Sequence, residues 1–95
     1  MAAYVVSVVN VKDQARYQDY AALAPAAVEK YGGRFLARGS INTLLEGGLG
    51  ANRVVVAEFP SAEKAKAFYA SPEYQAARQK RIDAADFTMM LCDGV

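Results

Sequence analysis

Tyr4-Val5-Val6-Ser7-Val8-Val9-Asn10-Val11 is dense in β-branched and aromatic side chains and too short for a stable helix, so it reads as a strand. In an extended chain Tyr4, Val6 and Val8 point to one side and Val5, Val9 and Val11 to the other, and both sides are apolar. Arg53-Val54-Val55-Val56-Ala57-Glu58-Phe59 repeats the pattern, with Val54 and Val56 set against Val55, Ala57 and Phe59, and Pro60 stops it. An antiparallel sheet with one wet face alternates apolar with polar. These two strands do not alternate, so both of their faces must be covered.

The neighbouring segments supply one cover. Asp13 is placed to cap a helix through Tyr17, Tyr20, Ala21, Ala24, Val28 and Tyr31, three or four residues apart on one face, and Gly32-Gly33 ends it. Pro25 inside that run predicts a kink or two abutting helices. Arg34-Phe35-Leu36-Ala37-Arg38 alternates as a second strand. Gly39-Ser40 is expected to bulge before Ile41-Asn42-Thr43-Leu44-Leu45 resumes extended structure, and Gly47, Gly48, Gly50 and Asn52 form a turn. After the valine-rich third strand, Ser61 caps a short helix through Ala65, Phe68 and Tyr69. Ser71-Pro72-Glu73 then opens another through Tyr74, Ala77, Arg78 and Arg81, and Phe87–Cys92 closes the chain as a strand. The order β-α-β-β-α-β is the ferredoxin-like α+β plan: a four-stranded antiparallel sheet, helices on one face, first and third strands central. A second copy packing sheet to sheet is the economical cover for the other face. The alternative is a monomer whose segment 41–52 folds over it.

At 95 residues and 10.2 kDa the chain is expected to form one domain. Eleven Lys and Arg against 10 Asp and Glu give a net charge of +1 with the signs interspersed, no footprint for a nucleic acid or an anionic membrane surface. No run is long and apolar enough for a membrane span and Met1-Ala2-Ala3-Tyr4 lacks a basic flank, so a cytoplasmic location is expected. Cys92 is the only thiol, which precludes an internal disulfide. The chain has no His, which excludes His-based triads, His-ligated zinc and His-ligated haem. No metal or cofactor is expected, and acid–base chemistry would fall to Glu, Asp, Tyr, Lys or the thiol.

The runs Tyr20-Ala21-Ala22-Leu23-Ala24-Pro25-Ala26-Ala27-Val28, Tyr31-Gly32-Gly33-Arg34-Phe35-Leu36-Ala37-Arg38-Gly39, Leu45-Glu46-Gly47, Arg53–Pro60 and Phe68-Tyr69-Ala70-Ser71-Pro72-Glu73-Tyr74 together resemble the domain of unknown function 1330 family. The resemblance runs in order along nearly the whole chain. It implies a dimeric α+β barrel, related in fold to antibiotic-biosynthesis-monooxygenase-like proteins, with two ferredoxin-like sheets facing each other across a dimer. It implies no activity.

Four residues stand out as a ligand-binding set: Arg38, Glu58, Tyr74 and Arg81. Glu58 is an acid on the strand face of Val54 and Val56. A hairpin closed between Glu46 and Arg53 would bring Arg38 within reach of it, and a tighter hairpin would bring Arg34 there instead. Such a pair either lines a cleft, with a raised carboxyl pKa and an Arg for an anionic substrate, or is a structural ion pair that fixes strand register. Tyr74, Arg78 and Arg81 share a helical face, and the family resemblance carries over most directly to Tyr74 and Arg81. A phenol and a guanidinium together bind a carboxylate or enolate oxygen; otherwise Tyr74 packs on the sheet and the arginines are solvated, as is expected of Arg78. Tyr17, Tyr20 and Tyr31 read as packing, only one of Met89 and Met90 is expected to line any one pocket, and Cys92 is expected to be a buried inert thiol. The leading expectation is a homodimer binding a small organic molecule, an anion being one option, in a cleft between sheet and helices. Against it stands a non-catalytic regulatory or interaction module, and a cofactor-independent monooxygenase rests on fold analogy alone.

Overall fold

Asp13, Ser61 and Ser71 each sit in extended backbone and accept a hydrogen bond from the amide three residues on, which starts three helices where the capping rule places them. The computed structural model describes residues 1–95. Its elements are β1 (Ala3–Val11), α1 (Gln14–Lys30), β2 (Arg34–Ser40), β3 (Arg53–Phe59), α2 (Ala62–Ala70), α3 (Pro72–Gln79) and β4 (Ala85–Asp93). The four strands form one antiparallel sheet in the order β2-β3-β1-β4, so the two valine-rich strands are central, and the helices lie on one face. This is the ferredoxin-like fold with its second helix broken in two at Ser71. No helix is long and apolar enough to cross a membrane.

Period two governs burial. Ala3, Val5, Ser7 and Val9 of β1, with Ala57 and Phe59 of β3, are buried under the helices against Tyr17, Tyr20, Ala24, Ala27 and Val28 of α1 and Phe68 of α2. Tyr4, Val6 and Val8 pair with Glu58, Val56 and Val54 on the opposite face and are only half-buried. Gly33 is needed where it stands, because a Cβ there would lie 2.6 Å from the buried Phe59 ring.

Several expectations are corrected. Pro25 lies inside α1, which is one helix rather than the alternative of two abutting helices. The bulge falls at Leu36, between the Phe35–Ala57 and Ala37–Val56 pairs, and not at Gly39-Ser40. Ile41–Leu45 adds no strand: the β2–β3 pairing ends where the Ile41 N–H bonds the Asn52 carbonyl, while Asn52 is tied on its other side to β1, its backbone N–H to the carbonyl of Val9 and its side-chain amide to Val11. Residues 42–51, between Ile41 and Asn52, form a long hairpin loop. Leu44, Leu45 and Leu49 in that loop are exposed, so its apolar side chains are not buried against the sheet. Cys92 is exposed rather than buried, on the open face opposite Tyr4.

Candidate functional site: an arginine-lined cleft

Arg81 follows α3, and its side chain turns back under the helices, where it is only 8% exposed. Its guanidinium lies over the Phe87 ring at 3.7 Å and over Tyr20 at 5.3 Å, and one Nη donates to the Tyr74 hydroxyl at 3.2 Å. Tyr74 in turn shares a 2.8 Å hydrogen bond with the Tyr20 hydroxyl. Burial, and then the neighbouring Tyr74, push the Tyr20 phenol well above its ordinary pKa, so it stays a neutral hydrogen-bonding group. α1 supplies Tyr20, the Ser71 cap fixes the start of α3 and with it Tyr74, and β4 supplies Phe87. The chain's three ion pairs use Lys12, Lys30 and Arg34, so Arg81 has no carboxylate, and its buried Nε has no partner at all.

This guanidinium borders a cleft of about 520 Å³ between α2, α3 and the edge strand β4. Phe68, Phe87, Met89 and Leu91 give it apolar walls, and its charged lining residues are Lys66, Arg78 and Arg81. Met89 and Met90 both border it, contrary to the alternation rule, because β4 is the sheet's edge and the rim reaches both of its sides. Arg78, expected to be solvated, is half-buried at the same cleft. A second, narrow cleft of about 40 Å³ adjoins it under α1, lined by Tyr17, Tyr20, Arg38 and Arg53 among mostly apolar neighbours. No three Cys, Asp or Glu side chains converge as metal ligands.

The four singled-out residues therefore separate. Tyr74 and Arg81 are bonded together beneath the helices. Arg38 also lies on the helix side, its guanidinium 4.6 Å from the Phe35 ring, because the Leu36 bulge reverses the alternation of β2 and pairs Arg38 with Val55. Glu58 is on the other face, paired in register with Arg34, whose Nε donates to it at 2.9 Å, while Tyr4 donates to its second oxygen at 3.1 Å. Arg34 first, then Tyr4, holds the Glu58 carboxyl below its ordinary range, the reverse of a base tuned upward. The Arg34 partner arises from a longer hairpin loop, not a tighter one. Tyr20, Arg53, Arg78 and Lys66 were not singled out for the site. For Arg53 a signal existed: it shares a strand face with Val55, Ala57 and Phe59, all of which look toward the helices. For Tyr20 there was none, since its partner Tyr74 is 54 residues away.

The model of a family described as Domain of unknown function (DUF1330) matches residues 2–95. No curated protein matches the sequence. Among solved structures, a protein of unknown function from Rhodopseudomonas palustris superposes with a TM-score of 0.77 at 19% identity, over 99% of this chain and 82% of that one. SnoaB, a cofactor-independent oxygenase from Streptomyces nogalater, gives 0.72 at 15% identity, over 99% and 93%. A dimeric ferredoxin-like protein of unknown function from Jannaschia sp. CCS1 gives 0.71 at 9% identity, over 99% and 100%. At these identities the likeness is one of fold.

Proposed function

The chain belongs to the DUF1330 family, a family defined by a domain without an assigned activity, and on that footing we propose that the protein is a homodimer that binds a small organic anion in its helix–sheet cleft. The observation that carries this is Arg81: a guanidinium 8% exposed, without a counter-ion, bordering a 520 Å³ cleft. Desolvating an ion costs several kcal/mol. The stacked Phe87 ring and the Tyr74 hydroxyl each return about 2 kcal/mol, which holds the cation in place yet leaves its charge uncompensated. A planar acid would supply the missing charge through the head group and bury its ring against Phe68, Phe87 and Met89. The cleft's size is that of a small-molecule site. Its charged lining groups are all cations, which suits it to hold an anion rather than to abstract a proton, and this favours binding over an oxygenase reaction of the kind named for SnoaB.

The dimer is supported by the open sheet face, where Val6, Val8, Val54 and Val56 are only half-buried on the side away from the helices, and by the dimeric form described for the Jannaschia neighbour. Binding is tested by calorimetry with benzoate and its neutral isostere benzamide. The expected result is that benzoate binds, benzamide does not, and Arg81→Met weakens benzoate at least about tenfold, the effect of one lost charge-assisted contact, while keeping the wild-type circular dichroism. Equal binding of acid and amide, or an unchanged affinity in Arg81→Met, would overturn the reading.

A further inference from the structure

We infer that the ligand is a dianion, whose second acidic group is held by Arg53 and Arg38 in the inner cleft. The inference rests on the anion-binding reading of the wide cleft and extends it to the adjoining one. The two clefts share Val5, Phe68, Phe87 and Met89 as walls, so they adjoin across these side chains, a broad outer one beside β4 and a narrow inner one under α1 whose lining includes the exposed Arg38. The inner cleft repeats the chemistry of the outer. Arg53 has a buried Nε with no hydrogen-bond partner, as Arg81 has, and these are the only two such side-chain atoms in the chain. Neither Arg53 nor Arg38 is in an ion pair. Each lies by an aromatic ring instead, Arg53 at 5.4 Å from Tyr17 and Arg38 at 4.6 Å from Phe35.

The aromatic stripe of α1 joins the two ends. Arg81 sits over Tyr20 and Arg53 over Tyr17, and those ring centroids are 5.6 Å apart. With Arg81 donating to Tyr74, the hydrogen of Tyr74 is available to Tyr20, and that of Tyr20 is then left for a group in the inner cleft, which Tyr20 also lines. At about 40 Å³ the inner cleft admits a group of a few atoms but no ring, whereas the outer cleft admits a ring. A rigid molecule with an acid at each end therefore fits one way: ring and first acid outside at Arg81, second acid inside at Arg53. The chemical class is an elongated, planar dicarboxylate or its enolate equivalent.

The test compares matched mono- and diacids on the full chain by calorimetry: benzoate with terephthalate, and biphenyl monocarboxylate with biphenyl dicarboxylate carrying its acids at opposite ends. At least one diacid should bind about tenfold or more tighter than its monoacid, the effect of one added charge-assisted hydrogen bond. Arg53→Gln should abolish that ratio while leaving the monoacid unchanged, and Arg53→Lys, which keeps the charge and guards against misfolding of the first variant, should retain part of it. Monoacids binding as tightly as diacids in both pairs, or a ratio that survives in the Arg53→Gln, Arg38→Gln double variant, would overturn the dianion and leave the Arg81 site standing. Binding of none of the four acids, or binding indifferent to Arg81→Met, would sink the anion reading itself and the inference with it.

Discussion

Glu58 accepts from Arg34 and Tyr4 at the end of the open sheet face, which makes its protonation a pH-sensitive feature of the chain. Its carboxyl is held below the ordinary value, Arg34 first, and the Tyr4 phenol is raised above its own, chiefly by its hydrogen bond to Glu58. The signs follow from linkage. A lowered carboxyl contributes stability above its unfolded pKa of about 4.3 and loses it as pH falls through the native value, whereas a raised phenol contributes below about 10 and loses it as pH rises. Arg34 is mostly exposed, so the effect is small. Wild type should melt above Glu58→Gln across neutral pH, and thermal scans should show the two curves converging in acid below about pH 4; curves that stay parallel there would mean that Glu58 does not titrate as a paired group.

Among the elements, the junction of α2 and α3 turns on one hydroxyl. Ser71 donates to the Phe68 carbonyl at 2.7 Å, ending α2, and accepts from the Tyr74 amide at 3.0 Å, starting α3. Ser71→Ala should therefore cost about 1–2 kcal/mol, measured by denaturant unfolding. It should also weaken benzoate, because Tyr74 is the residue whose amide the cap holds and whose hydroxyl steadies Arg81. A cap that mattered only for stability would leave benzoate affinity at the wild-type value. Such junctions are legible in the sequence because they are local: Asp13, Ser61 and Ser71 each precede their helix by one residue, and the doubly apolar valine runs mark the central strands. Register was not legible, because it depends on a bulge at Leu36 and on the docking of Asn52 against Val11, 41 residues away. Tyr74 and Arg81, seven residues apart, are legible as a pair, but the same distance problem hid Tyr20, which meets them from 54 residues away only once α1 and α3 have packed.

As a whole the chain is a slab of 30 × 30 × 15 Å, one layer of helices on one layer of sheet. A standard stable interface takes about 800 Å² from each partner, and the open sheet face is where this chain would supply it. Val56 lies on that face between Val6 and the Leu36 bulge, so Val56→Glu places a charge there without entering the helix-side core. Native mass spectrometry should show wild type as a dimer and Val56→Glu as a folded monomer; a wild-type monomer at micromolar concentration would remove the dimer. The lone thiol gives that face a built-in reporter. Cys92 stands beside Tyr4, so the rate at which a maleimide consumes it reads the face directly, fast when bare and slow when a second copy shields it. The molecule can thus be footprinted at one atom, in dilute solution or a crude extract, with no label introduced by mutation.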